Sequence, residues 1–216
     1  MPVRKIPMSY SSVTGRYVLP DGSTVGFEST VERDFITLMV FDLAFVTMEE
    51  QPLRIFFTDE FGKRRRYTPD YLVTRAGRRP LLAEVKLVEK MTPEMEVWFD
   101  AGRAYSRDHG WDYGIWTDVD MRTPFLNNAK FLVPYRRRRT DPGIEARLLR
   151  ELERREQISI SDLLAAAFAK PDQRLKGIPI LWRLIANGRV GVDLHKELVM
   201  ASDIWHLEGE QEWANP

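Results

Sequence analysis

In the stretch YTPDYLVTRAGRRPLLAEVK, residues 67–86, two carboxylates and an ammonium stand where chemistry is possible. Pro69-Asp70 opens one apolar run, and Glu84-Val85-Lys86 closes the next, with Gly77 and Arg78-Arg79 between them. Read as an antiparallel hairpin, the two runs bring Asp70 toward Glu84. Strand side chains repeat with period two, so Glu84 and Lys86 share a face with Leu82, while Ala83, Val85 and Leu87 take the face toward a core. Two carboxylates on neighbouring strands suit Mg²⁺ (or Mn²⁺), which takes oxygen ligands and keeps several waters. A lysine beside them can orient or deprotonate a metal-activated water, or balance charge on a phosphate. Phosphodiester hydrolysis asks for these groups. The plainer alternative is that Glu84 and Lys86 form the polar face of an amphipathic strand, with Asp70 in its turn.

The preceding helix offers a third acid. In ESTVERDF, Glu32 is placed to help hold a second ion, with Glu28 as runner-up. A first-turn glutamate also favours the helix dipole without any metal, and Asp34 has the same excuse. His109, His195 and His206 are isolated in sequence, and neither a P-loop nor GxGxxG occurs. Zero cysteines exclude thiolate metal sites and disulfides.

These residues need elements to carry them. Residues 1–26 read as an irregular lead-in with a turn at LPDGS. A helix follows from Ser29 or Thr30, capped by Thr30, with Val31, Phe35, Leu38, Met39 and Phe41 at helical spacing. Gln51-Pro52 opens a strand LRIFF, DEFGK turns, RRYTPDYLVT is the second strand and LLAEVKLV the third. Residues 93–108 form a helix, YGIWT a strand, and residues 121–135 a turn and short helix. The fold class is α/β, a mixed-sheet core with a crossover helix.

The run Arg136–Arg139 followed by Thr140-Asp141-Pro142-Gly143 marks a boundary, giving domains at 1–140 and 141–216. The second part reads as three helices and a two-stranded wing, a winged-helix-like order. Net charge is zero, yet residues 1–140 carry 22 Lys+Arg against 19 Asp+Glu, and residues 141–216 carry 10 against 13. Two basic runs, Lys63-Arg64-Arg65-Arg66 and Arg136-Arg137-Arg138-Arg139, are candidate DNA-phosphate contacts, although charge runs are also ordinary solvated surface. No apolar run is long enough to span a bilayer, so the expectation is a soluble, unexported protein.

With these motifs in order, the chain resembles the TnsA endonuclease subunit of Tn-seven-like transposons. The likeness rests on TGRYVLPDGSTVGFESTVERDFITLMVFD, QPLRIFF, RRYTPDYLV, LLAEVK and WDYGIWTDVDMRTPFLNNAKFLVPYRR, across roughly residues 14–139. The resemblance implies a restriction-endonuclease-like fold with a PD-(D/E)xK centre. In it Glu32 is the helix acid, Asp70 the strand acid, and Glu84 and Lys86 the ExK pair, with Gln51 at a family position of no assigned role. It implies a Mg²⁺-dependent DNA endonuclease using two ions on double-stranded transposon ends in the bacterial cytoplasm, on the nucleoid when acting. Such a subunit cuts the 5′ strands while a DDE transposase (TnsB-like) cuts and joins the 3′ ends. An AAA+ ATPase regulator (TnsC-like) is the further expected partner, and the C-terminal part is expected to contact DNA, that regulator or both. Two other readings stand beside it: an assembly factor on a retired nuclease fold, and a free-standing repair or restriction nuclease.

Overall fold

The computed structural model describes residues 13–207. Contacts divide the chain into two compact units, one running to Met121 and the other from Arg122, with Phe41–Leu43 counted in the second. In the first unit the order is β1 (Gly15–Val18), β2 (Thr24–Phe27), α1 (Thr30–Phe41), β3 (Phe45–Glu50), β4 (Ile55–Thr58) and β5 (Arg64–Tyr67). There follow β6 (Tyr71–Arg75), β7 (Leu81–Lys86), α2 (Glu96–Asp108), β8 (Asp112–Thr117) and α3 (Asp118–Met121). The second unit holds α4 (Pro124–Leu132), α5 (Pro142–Leu152), β9 (Ile158–Ser159), α6 (Ile160–Ala167), α7 (Pro171–Ala186), β10 (Val190–Val192) and β11 (Asp203–His206).

The core of the first unit is a four-stranded sheet in the order β3-β6-β7-β8, with β7 and β8 parallel and the other pairs antiparallel. A parallel pair needs a crossover, and α2 supplies it. This mixed α/β arrangement is the restriction-endonuclease-like core expected from the sequence. On one sheet face α1 packs through Phe35, whose ring lies 5.6 Å from Tyr71 and 5.5 Å from Trp116. On the other, α2 and the β4–β5 hairpin gather Trp98, Ala101, Tyr105, Ile55 and Tyr67 over Leu82.

Several sequence expectations change. The lead-in carries the β1–β2 hairpin, and FVTMEE, unread as a strand, forms β3 at the sheet edge. The expected strand RRYTPDYLVT breaks at Thr68–Asp70 into β5 and β6, which belong to different sheets. Pro69 accounts for the break, because it has no N–H to give a ladder and its φ is fixed. Ser29 rather than Thr30 caps α1, its Oγ accepting the Glu32 N–H at 3.2 Å. The third strand is not half-buried: Leu81 through Val85 are all buried, since helices cover both faces.

The expected boundary near residue 140 also moves. Phe125, Leu126, Ala129 and Leu132 of α4 are buried within the second unit, and the Arg136 side chain donates to the carbonyls of Phe41 and Ala186 there. Apolar helix and basic run therefore belong to that unit rather than to a linker. Its α5, α6 and α7 are followed by β10, and β10, β11 and β9 form a three-stranded antiparallel sheet.

One close approach in the first unit bears on the residues around Glu84. A Cβ on Gly102 of α2 would run into the Tyr113 ring and lie 3.0 Å from the Tyr67 ring. Those two hydroxyls are 3.0 Å apart, so neither ring is free to yield. Alanine would raise helix propensity by about 1 kcal/mol, against an overpacking cost of about 1–3 kcal/mol. Gly102→Ala should therefore lower the urea midpoint with an unchanged m-value; a higher midpoint would show that the rings do not constrain α2.

Candidate active site

The β6–β7 register pairs Tyr71 with Ala83, Leu72 with Leu82 and Val73 with Leu81. Asp70 lies just before this ladder, and Glu84 just beyond it on the partner strand. Because Pro69 ends β5, Asp70 enters β6 with its side chain turned to β7, where Oδ2 accepts the Val85 N–H at 2.8 Å. The Asp70 carbonyl accepts the Gln51 N–H at 2.7 Å, so the backbone is tied on both sides. Lys86 Nζ then lies 3.3 Å from Asp70 Oδ2 and forms an ion pair with Glu84 Oε1. The other Glu84 oxygen accepts the Tyr67 hydroxyl at 2.5 Å, and Tyr67 meets Tyr113. The expected trio is thus in direct contact.

Its electrostatics follow from burial. Glu84 is 4% exposed, and desolvation together with the Asp70 carboxylate pushes its pKa up to about 7, against Lys86 and Tyr67, which favour the charged form. Asp70 is also raised by burial, with Lys86 and the Val85 N–H working the other way. Burial lowers the basicity of Lys86, but the two carboxylates outweigh it and hold the ammonium charged.

Glu32 sits differently. Its Oε2 accepts the Glu28 N–H at 2.8 Å and the Tyr71 hydroxyl at 3.1 Å, and Oε1 accepts the Ser29 hydroxyl at 3.0 Å. It lines one cleft of about 190 Å³ with Asp70, Glu28, Glu50, Gln51, Arg54, Arg66, Thr68 and Tyr71. Burial raises its pKa, and the nearby Asp70 charge adds to that. The structure therefore brings Glu32 to the same cleft as Asp70 but commits its oxygens to the start of α1.

Gln51 has φ of 44°, in the left-handed region that a non-glycine residue seldom occupies. That bend takes the chain out of β3 toward β4. Its amide donates to Glu28 at 3.4 Å, while its Oε1 is buried with no hydrogen-bond partner. Glu50, Tyr67, Tyr71 and Tyr113 escaped the sequence reading. The tyrosines carry no motif of their own; only their place opposite acids on the folded sheet reveals them.

The basic runs separate residue by residue. Arg65 donates to Asp59 at 2.7 Å, and Arg136 is held by backbone carbonyls and by the Phe41 ring at 5.0 Å. Arg138 lies over the Tyr135 ring at 5.7 Å. Lys63, Arg64, Arg66, Arg137 and Arg139 are exposed.

Two carboxylates already converging on one cation fit Mg²⁺, which is commonly held by one or two carboxylates with waters. Among the described residues no group of three or more His, Asp or Glu converges as a ligand cage. The donor set therefore fits through Asp70 and Glu84, and Glu32 could join only by giving up hydrogen bonds at the α1 terminus.

A buried glutamate with a raised pKa gives stability that is complete below its unfolded value and is lost as pH rises through its folded value. For Glu84 the window runs from 4.5 to about 7. In EDTA, Glu84→Gln should gain on wild type by about 2 kcal/mol between pH 5 and pH 8. Thermal melts at both pH values measure this; a pH-independent difference would mean that Glu84 carries no burial penalty.

Residues 43–118 match the family model described as TnsA-like endonuclease N terminal, a range that contains Gln51, Asp70, Glu84 and Lys86 but not Glu32. Residues 120–194 match the model described as TnsA endonuclease C terminal. No curated protein matches the chain. With consecutive models matching residues 43–118 and 120–194, the chain belongs to the TnsA endonuclease family.

Proposed function

We propose that this chain is a Mg²⁺-dependent DNA endonuclease that cuts the 5′ strands at transposon ends, beside a DDE transposase that cuts and joins the 3′ ends. The observation that carries the reading is the convergence of Asp70 and Glu84 on Lys86 at the ends of β6 and β7. Asp70 and Glu84 would hold the ion, Mn²⁺ serving in place of Mg²⁺, and Glu32 would help with a second ion. When bound, Mg²⁺ supplies a Lewis acid at the phosphate and a water of lowered pKa. Lys86, held as an ammonium by Asp70 and Glu84, would orient that water or balance charge on the phosphoryl oxygens. The Val85 N–H and the Tyr67 hydroxyl fix the two carboxylates, so their orientation is set before substrate arrives.

DNA phosphates would lie along Lys63, Arg64, Arg66, Arg137 and Arg139. From α5 onward the second unit runs helix, strand, helix, helix, strand, strand, an order that supports a winged-helix-like reading of this part. We assign it to contact with the AAA+ ATPase regulator in preference to independent DNA binding. Arg174 of α7 is spent on the carbonyls of Phe168 and Ala169, and Arg183 and Arg189 pair with Glu145. A helix reading the major groove needs such cations turned outward. Among the described residues no helix is long and apolar enough to cross a membrane.

Cleavage of a labelled transposon end, reconstituted with and without the transposase, tests the reading. With Mg²⁺ and transposase, wild type should nick the 5′ strand, while Asp70→Ala and EDTA each lower the rate by about 10²-fold or more. Full 5′ cleavage by Asp70→Ala would end the proposal. Joining that needs this chain without any 5′ nick would favour the assembly factor, and nicking of naked DNA without a transposase the free-standing nuclease.

A further inference from the structure

The β4–β5 hairpin carries a second feature that phosphate hydrolysis does not require. Its register pairs Phe56 with Arg66, Phe57 with Arg65 and Thr58 with Arg64. Ile55 and Tyr67 bury against Leu82, and Phe57 packs beside them, which fixes one face of the ribbon to the core. Period two then turns Phe56, Thr58, Arg64 and Arg66 to the opposite side, and all four are exposed. Phe56 is 75% exposed and Phe61, at the tip, 83%. Folding gains almost nothing from either ring.

The tip is nevertheless held in one shape. Asp59 is buried and accepts from the Phe61 N–H at 3.1 Å, the Lys63 N–H at 2.9 Å and Arg65 Nε at 2.7 Å. Gly62, at φ of 76°, completes the turn in a conformation other residues resist. Of the two tip acids, one is thus consumed by the turn, leaving Glu60 against Lys63, Arg64 and Arg66 on the exposed surface. Arg66 also lines the cleft that contains Asp70, so the basic face runs into the candidate active site.

We propose that this hairpin is a DNA-engaging arm: Arg64 and Arg66 grip phosphates beside the cleft, and Phe56 and Phe61 wedge against base steps of the same duplex. Guanidinium groups bind phosphate in paired hydrogen bonds, and exposed aromatic rings stack on bases or wedge between them whatever the sequence. A rigid ribbon presents both at fixed spacing. The rings make this more than electrostatic attraction, because a phosphate-only surface has no use for them. The inference deepens the nuclease reading and rests on it for the location of the substrate, but its readout is binding.

The test uses the full chain with Asp70→Ala as background, so that DNA is bound without being cut. The probe is a transposon-end duplex with 2-aminopurine at base steps flanking the 5′ cut. Arg64→Ala with Arg66→Ala should reduce the magnitude of the salt slope, log K against log salt, by about 2. Phe56→Ala with Phe61→Ala should leave that slope unchanged, weaken binding about tenfold and remove the 2-aminopurine fluorescence rise. Both rings are exposed, so unchanged melting temperatures confirm that folding is intact. An unchanged slope in the arginine variant, wild-type fluorescence in the phenylalanine variant, or no binding even at about 50 mM salt overturns the proposal. Normal DNA binding by the phenylalanine variant with loss of transposase-dependent cleavage also overturns it, and makes the hairpin a protein-docking surface. The two readings fail separately: cleavage by Asp70→Ala ends the nuclease reading, while wild-type cleavage with silent hairpin variants ends only this one.

Discussion

A single ammonium held between two carboxylates on a strand buried on both faces organises the first unit. Lys86 contacts Asp70 and Glu84 at once, and each acid has one further anchor, the Val85 N–H for Asp70 and the Tyr67 hydroxyl for Glu84. Burial of charge is expensive unless paired, and here the pairing itself dictates much of the surrounding structure. Pro69 must end one strand so that Asp70 can enter another. The hairpin β4–β5 must place Tyr67 over Leu82, so that its hydroxyl reaches Glu84. Helix α2 must come close enough, at Gly102, to hold the Tyr67–Tyr113 pair in place.

The trio could be read in sequence because its logic is local. Period two puts Glu84 and Lys86 on one side of a strand, and a turn rich in Gly and Arg brings Asp70 back beside them. What could not be read was the covering of that side. An ExK face looks polar and solvated in one dimension, but α2 and the β4–β5 hairpin bury it, and β7 becomes a central strand. The break at Pro69 was visible, yet the surrounding apolar run disguised two strands of different sheets as one. The boundary was misplaced for a related reason: Arg136 looks like linker charge until its guanidinium is seen satisfying the carbonyls of Phe41 and Ala186 within the second unit. Charge type is local information, whereas its partner is tertiary.

The basic runs make the same point within four residues. Lys63, Arg64, Arg65 and Arg66 look equivalent in sequence, but the ribbon's pleat separates them. Arg65 faces inward and is spent on Asp59, while Arg64 and Arg66 share the outer face with Phe56. A run of four cations is therefore three at the surface, two of them sharing a face with an aromatic neighbour, and that changes which ligand it suits.

Glu32 shows where helix formation and catalysis draw on the same atoms. The residue at the third position of α1 serves its N-terminus through Glu28 and Ser29, and Tyr71 takes part of its remaining capacity. That use suffices to explain a glutamate there. Yet its pKa is raised by burial and by Asp70 across the cleft, which a cap on an open surface would not experience. A helix cap normally lies in water because exposure leaves the carboxylate charged at little cost. Placing this one against a second acid makes the capping interaction work against electrostatic repulsion, and a cation between the two would relieve it. The same reasoning applies to Asp70 and Glu84, where Lys86 already does so. Asp70 thus has on one side Glu84, with which it shares the chain's own ammonium, and on the cleft side Glu32 and Glu28, whose repulsion remains, an asymmetry that sets these carboxylate positions apart in what they ask of a metal ion.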